Sequence, residues 1–101
     1  MRKIDVSEYV SLVKEGCVLV DFSATWCGPC KMLKPVLEEL EKEVDMTFVY
    51  VDVDEQMDLC ETLAIRSVPT VHIYKDGKLV KMFQGYHPKE MLLPLLKKIT
   101  G

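Results

Sequence analysis

Two apolar, β-branched segments separated by one amphipathic helix constrain the fold of this chain most. Residues 18–23 and 47–52 are rich in the β-branched and aromatic side chains that favour strands. Between them, apolar side chains recur at helical spacing: Leu33, Val36, Leu37, Leu40 and Val44. A strand, a helix and a second strand in this order predict a crossover between parallel strands.

The flanking segments predict the remaining elements. A first helix is expected over residues 6–13, with Asp5 or Ser7 as its N-cap, and a further helical stretch over residues 55–64. Asp76-Gly77 between two strand-like segments predicts a hairpin. A closing helix follows Pro88, and its apolar stripe of Met91, Leu95 and Leu96 is expected to pack in the core. The sum is an α/β protein with a central mixed β-sheet flanked by helices on both faces.

The composition of the chain limits the binding partners and the cellular compartment that we expect. A chain of 101 residues, 49% of them hydrophobic, predicts a single domain over residues 1–101. A net charge of −3 without a cluster of Lys or Arg argues against nucleic acid as a partner and favours a monomer. No apolar stretch follows the basic N-terminus, and no apolar run approaches the roughly 20 residues that span a bilayer. We therefore expect no membrane contact and a cytoplasmic location.

Two cysteines lie three residues apart where the first strand leads into the helix. Residues i and i+3 share one helix face, so the sulfurs of Cys27 and Cys30 can reach bonding distance. The chain has four cysteines, too few and too unevenly spaced for a disulfide framework. A lone C-x-x-C motif near a strand–helix–strand pattern is typical of redox chemistry in a reducing compartment.

A metal or cofactor site is the main alternative use of these cysteines. A structural zinc site needs four ligands, and the remaining candidates do not fall at ligand-like spacing: Cys17, Cys60, His72 and His87. We expect no metal, and we expect Cys17 and Cys60 to be small packed residues. The absence of a Gly-rich phosphate-binding loop predicts that the chain binds no cofactor of its own.

A longer pattern around the dithiol is specific to one family. Residues 20–32, which include Trp26-Cys27-Gly28-Pro29-Cys30, together with Val68-Pro69-Thr70 and Gly85, closely resemble the thioredoxin family. The resemblance extends over the whole chain and implies a thioredoxin-like fold. It also implies a protein-disulfide reductase that acts on disulfide-containing client proteins, serves electron transport and cell redox homeostasis, and is reduced by a thioredoxin reductase.

The two cysteines are expected to act in sequence. Only a thiolate attacks a disulfide, and the unpaired N–H groups at a helix N-terminus favour an anion at Cys27. Pro29 costs no helical hydrogen bond in the first turn, and Gly28 leaves room for a client chain. Cys30 lies further into the helix and should be shielded. We predict that Cys27 attacks the client disulfide and that Cys30 then resolves the mixed disulfide.

Asp21 is the third candidate catalytic residue. A carboxyl group in an apolar strand is expected to be buried, which raises its pKa, and the family resemblance implies that it assists deprotonation of Cys30. The alternative is a strand-end aspartate that faces solvent. Tyr50 stands where many bacterial relatives place a lysine near this carboxyl, so we expect that ammonium group, and its effect on the site, to be absent.

Pro69 is the candidate centre of a client-binding edge. An isolated proline here would open a strand, but the resemblance implies a cis Val68–Pro69 bond that faces the dithiol. The backbone of Val68 would then bind an extended client segment. Trp26, Val68, Pro69 and Gly85 are expected to line this shallow groove.

Two other function classes fit the same motifs. A redox-silent docking module would use the groove to hold a client protein without any exchange. A disulfide oxidant or isomerase would differ in redox potential but not in residues. The Gly28-Pro29 dipeptide resembles the reducing members of the family.

Overall fold

The computed structural model describes residues 1–101 as five strands and four helices. The strands are β1 (Arg2–Lys3), β2 (Cys17–Ser23), β3 (Thr47–Asp52), β4 (Thr70–Lys75) and β5 (Lys78–Gln84). The helices are α1 (Val6–Leu12), α2 (Gly28–Glu41), α3 (Met57–Thr62) and α4 (Lys89–Thr100). None of these helices has the length and apolar character needed to cross a membrane.

One mixed sheet organises the molecule in the order β1-β3-β2-β4-β5. The pairs β1–β3 and β3–β2 are parallel, whereas β2–β4 and β4–β5 are antiparallel. The predicted crossover is therefore confirmed as β2–α2–β3. Its register places Asp21 directly opposite Tyr50, which brings the predicted buried carboxyl beside a residue of the neighbouring strand.

The sheet separates two apolar cores, one on each face. One core includes side chains of α1 and α3 such as Tyr9 and Leu59, and the other includes leucines of α2 and α4 such as Leu37 and Leu96. Alternation along β2 sends Val20 to the first core and Leu19 to the second, as a period of two residues requires. Helices on both faces of a mixed sheet confirm the predicted fold class.

Local chemistry explains where the elements begin and turn. Asp5, one of the two predicted caps, accepts a hydrogen bond from the N–H of Glu8, and the Glu8 side chain accepts one from the N–H of Asp5. This reciprocal capping box satisfies two N–H groups that the helix itself leaves unpaired. In the β4–β5 hairpin, Asp76 and Gly77 both have positive φ (51° and 87°), as its two-residue turn requires.

The structure corrects one core assignment and adds one strand. Met91 was expected in the core, but 61% of its surface is exposed, because the buried face of α4 follows Leu92 and Leu96, one turn apart. Cys60 is buried and Cys17 is half-buried at the start of β2, so both are packed as expected. Strand β1 has only two residues and no periodic pattern that could predict it.

We predict that shortening a side chain on the buried face of α4 destabilises the protein much more than shortening one on its exposed face. Leu96→Ala should lower the free energy of unfolding by about 2–5 kcal/mol, because Leu96 is fully buried and truncation leaves a cavity. Met91→Ala on the same helix should change it by less than about 0.5 kcal/mol. Urea denaturation of the two variants measures both values. Equal losses would contradict the assignment of the buried face.

Candidate active site

The two motif cysteines are joined at the first turn of α2. Cys27 is the N-cap of the helix in an extended conformation, and it forms a disulfide with Cys30. The N–H of Cys30 also donates to the Sγ atom of Cys27 over 3.2 Å. In this disulfide form the two residues are nearly equally buried, with 5% and 2% of their surfaces exposed. Cys30 is shielded as predicted, and the difference in access is small.

The two residues between the cysteines leave the turn open. A Cβ atom added at Gly28 would meet no atom within 4 Å, so the space above the turn is free for another chain. Pro29 lies in the first turn of α2, where the backbone has no helical acceptor for an N–H group. Gly28 and Pro29 thus lie at the start of α2, the place that the motif predicts for them.

The predicted client-binding edge lies beside the disulfide. The Val68–Pro69 peptide bond is cis, as the resemblance implied, and the carbonyl oxygen of Val68 lies 3.7 Å from the Sγ atom of Cys27. Gly85 adopts a positive φ of 81° and donates its N–H to the carbonyl oxygen of Pro69 over 2.8 Å. Val68, Pro69 and Gly85 are therefore brought together next to Cys27.

Trp26 precedes the dithiol as a large exposed side chain. Its ring is anchored at one end, because Nε1 donates to the Oδ2 atom of Asp54 over 2.8 Å. Nevertheless, 66% of the residue's surface remains exposed. Asp54 follows β3 and was not a predicted site residue, since no local pattern links it to a residue 28 positions earlier.

Asp21 is buried, so the solvent-facing alternative is wrong. Only 1% of its surface is exposed, and its Oδ1 atom has no hydrogen-bond partner within the protein. Burial raises the pKa of this carboxyl to about 7, although the charge of Lys34 acts in the opposite direction. A group that titrates near neutrality can exchange a proton under physiological conditions.

A cavity of about 260 Å³ connects Asp21 with Cys30. Its walls come from the N-terminus, from β2 and the segment after it, from α2 and from β3: Met1, Asp21, Ser23, Ala24, Thr25, Cys30, Lys31, Lys34, Tyr50 and Asp52. The Asp21 carboxyl and Cys30 therefore line the same cavity.

Lys34 is the functional candidate that the sequence reasoning missed. The lysine that bacterial relatives place at position 50 is absent, but the charge of Lys34 on α2 also acts on Asp21 and lowers its pKa. Its Nζ atom lies 5.2 Å from the centroid of the Tyr50 ring, the residue that was expected to leave the site without a cation. The available signal was helical spacing, since Lys34 lies four residues after Cys30 on the same helix face.

The other polar candidates do not assemble into a second centre. No three His, Cys, Asp or Glu side chains lie close enough together to hold a metal ion. Cys17 and Cys60 remain free thiols on different elements of the fold.

Comparison with known proteins agrees with this geometry. The family model described as Thioredoxin matches residues 1–98. The chain is 46% identical over 86 residues to the thioredoxin of Bacillus subtilis (strain 168), covering 83% of each chain. It is 43% identical over 98 residues to a thioredoxin of Staphylococcus epidermidis, covering 95% of this chain and 94% of the relative. A solved Plasmodium falciparum thioredoxin superposes with a TM-score of 0.88 at 37% identity, covering 97% of this chain and 98% of that one.

The sequence match and the structural features of the site both support membership of one family. The match spans nearly the whole chain, and the mixed sheet, the cis proline and the paired cysteines occupy the places that the motifs predicted. The chain belongs to the thioredoxin family and is a thiol-disulfide oxidoreductase of the protein-disulfide reductase type.

Proposed function

We propose that this protein reduces client disulfides in two exchange steps, with Cys27 as the attacking and Cys30 as the resolving thiol. The observation that carries the proposal is the position of Cys27 as the N-cap of α2, bonded to Cys30 and adjacent to the Val68 carbonyl. In the first step the Cys27 thiolate attacks one client sulfur and forms a mixed disulfide. The client disulfide breaks, and its other sulfur leaves as a thiolate.

The second step returns the client in its reduced form. The Cys30 thiolate attacks the Sγ atom of Cys27, the Cys27–Cys30 bond forms, and the second client sulfur departs as a thiolate that takes up a proton. Two electrons pass from the dithiol to the client. Thioredoxins act on disulfide clients and are typically reduced by a thioredoxin reductase, and we propose such an enzyme as the electron donor here.

The helix N-terminus favours Cys27 as the first nucleophile. The N–H of Cys30 points at the Sγ atom of Cys27, and the positive end of the helix dipole lies at the same place. Both interactions stabilise a thiolate at Cys27. Cys30 lies three residues further along the first turn and lines the cavity that Asp21 also lines.

Asp21 is the proposed proton acceptor for the second step. The Cys30 thiol must lose its proton before it attacks, and Asp21 lies on the same cavity with a pKa raised to about 7 by burial. A base with this pKa is partly ionised at neutral pH and still accepts a proton readily.

The Val68–Pro69 edge is the proposed docking site for the client backbone. The carbonyl of Val68 is close to Cys27, and the space above Gly28 is open, so an extended segment can pair with the backbone while its sulfur meets Cys27. The exposed ring of Trp26 supplies apolar surface beside this edge.

We further propose that the protein works as a monomeric electron carrier in the cytoplasm and contributes to cell redox homeostasis. The free thiols of Cys17 and Cys60 suit a reducing compartment, in which only catalytic disulfides form readily. The acidic net charge of −3, without a basic cluster, favours a monomer that does not bind nucleic acid.

Cys30→Ser should trap the proposed intermediate. Without the resolving thiol, the mixed disulfide between Cys27 and a client peptide has no internal route to release, so it should accumulate to about one equivalent per protein. Cys27→Ser is the matched control and should form no such adduct, because the attacking nucleophile is lost. Intact-mass spectrometry measures both. An adduct that forms equally on both variants would refute the assigned order.

Asp21→Asn should stabilise the fold in a pH-dependent way. The folded-state pKa of about 7 exceeds the ordinary value of 3.8, so the stability contributed by protonated Asp21 is complete below about pH 4 and is lost as the pH rises through 7. Between these limits the wild type should lose about 4 kcal/mol relative to the Asn variant, the equivalent of about three pH units at about 1.4 kcal/mol each. Urea titrations at several pH values measure this difference.

The control for this experiment is Asp45→Asn, which removes a carboxyl at an exposed position before β3. Its stability should follow the wild-type pH dependence. If Asp21→Asn did the same, Asp21 would have an ordinary pKa and could not serve as the proposed base.

Equilibration with a glutathione buffer should separate the proposed reductase from the alternative functions. A reductase should remain largely in the Cys27–Cys30 disulfide form under conditions in which a strong oxidant or an isomerase is largely a dithiol. The Cys27→Ser, Cys30→Ser double variant should lose all activity in cells. Retained activity in the double variant would favour a redox-silent docking module.

A further inference from the structure

The sheet has two edges, and only one of them is long. Strand β1 at one edge has two residues, whereas β5 at the other has seven, Lys78–Gln84, and pairs with β4 alone. A strand with one neighbour leaves about half of its backbone N–H and C=O groups pointing away from the sheet. Six residues of β5 are exposed and none is buried, so no other element covers this edge. Strand β5 therefore offers a free edge to which another strand can be added.

One side of this free edge is apolar. Leu79 lies opposite Tyr74, whose side chain belongs to the core under α1 and α3. Met82 lies opposite His72, which is two residues from Tyr74 on β4 and therefore on the same face. Leu79 and Met82 are 45% and 58% exposed, so both remain available for contact with a partner.

The other side of the edge is cationic. Lys81 lies opposite Ile73, which packs in the core under α2 and α4. Lys78 lies opposite Lys75, which is two residues beyond Ile73 and therefore on the same face. Lys78 and Lys81 are exposed, and neither forms an ion pair within the protein. Two ammonium groups on this side of β5 therefore have no acidic partner.

We propose that the free edge of β5 binds an extended segment of another protein in which acidic and apolar residues alternate. Added as a sixth strand, such a segment pairs its backbone with β5 and sets its carboxylates beside Lys78 and Lys81. Its apolar side chains, on the opposite face, then lie against Leu79 and Met82. This binding uses no thiol and no disulfide, so it goes beyond the exchange reaction and does not depend on it.

A second copy of this chain fits the same edge poorly. Two β5 strands that pair about a two-fold axis keep the same faces together, so the lysines of both copies would meet on one side of the sheet. Like charges in neighbouring strands repel, and lysines on an edge strand protect against self-pairing for this reason. The one acidic residue of the β4–β5 hairpin is Asp76, and its carboxylate accepts a hydrogen bond from the N–H of Gly16. The charge of the edge therefore favours an acidic partner over a copy.

The free edge also leads to the region of the dithiol. Strand β5 ends at Gln84, and the N–H of the next residue, Gly85, donates to the carbonyl oxygen of Pro69 over 2.8 Å. Pro69 follows Val68, whose carbonyl oxygen lies 3.7 Å from the Sγ atom of Cys27. The free edge of β5 is therefore continuous with the surface on which client proteins are proposed to bind.

The central test uses a capped peptide in which glutamate and valine alternate, with about nine residues so that it spans β5 at about 3.4 Å per residue. In an NMR titration of the isotope-labelled protein at low salt, it should shift the amide signals of residues 78–84 and slow the hydrogen exchange of the outward amides of β5. Added salt should weaken the binding, because Lys78 and Lys81 are exposed. The Cys27→Ser, Cys30→Ser variant should bind the peptide equally well.

Three variants test the two sides of the edge. Lys81→Glu should weaken binding about fivefold, because it places a carboxylate where the peptide presents its own. Lys42→Glu is the matched control, since it makes the same change of charge at an exposed position at the end of α2, and it should leave the affinity unchanged. Leu79→Ser should weaken binding about threefold, because apolar contact is lost on the opposite face.

Two control peptides separate strand pairing from general attraction between charges. A peptide of the same composition with its glutamates in one block, and a peptide with lysine in place of glutamate, should each bind at least about fivefold more weakly. Equal binding of the block peptide, unchanged binding to Lys81→Glu, or shifts confined to residues outside 78–84 would each overturn the proposal. A concentration-dependent dimer that shifts residues 78–84 without any peptide would also overturn it, because a second copy would then be the occupant.

Discussion

The burial of one carboxyl group behind the dithiol is the constraint on which the rest of this site depends. The period-two pattern of β2 sends Val20 and Phe22 into one core, so that Asp21, like Leu19, faces the side covered by α2. The helix that covers Asp21 is the same helix that begins at Cys27. A single crossover therefore places a buried carboxyl group behind a redox pair.

This arrangement gives Cys27 and Cys30 different environments, although they lie only three residues apart in the sequence. Cys27 occupies the end of the helix, where backbone N–H groups stabilise an anion without any proton transfer to a side chain. Cys30 lies three residues further along the same turn and lines the cavity that Asp21 also lines, so the mechanism proposed above gives it a side-chain base instead. The difference between an attacking and a resolving thiol thus follows from helix geometry, because the two residues have the same chemistry.

The sequence alone predicted the features that depend on residues close together in the chain. Strand β3, the Asp76-Gly77 hairpin and the buried Asp21 follow from side-chain periodicity and turn chemistry, and the cis bond at Pro69 followed from the family resemblance alone. The Trp26–Asp54 hydrogen bond and the Lys34–Tyr50 contact join residues distant in sequence, and only the assembled fold brings them together. Met91 was misplaced because an apolar stripe on a helix does not by itself reveal its boundary with solvent.

A buried ionisable group is costly, so the stability of the rest of the fold must offset the cost of burying Asp21. The two apolar cores, one on each face of the sheet, supply the stability that offsets this cost. Asp21 lies at the border of one core, where it lines a cavity that Lys34 also lines from an exposed position. Deeper burial would keep the carboxyl protonated at neutral pH, and full exposure would leave it too weak a base, so the cavity edge is where this group can serve Cys30.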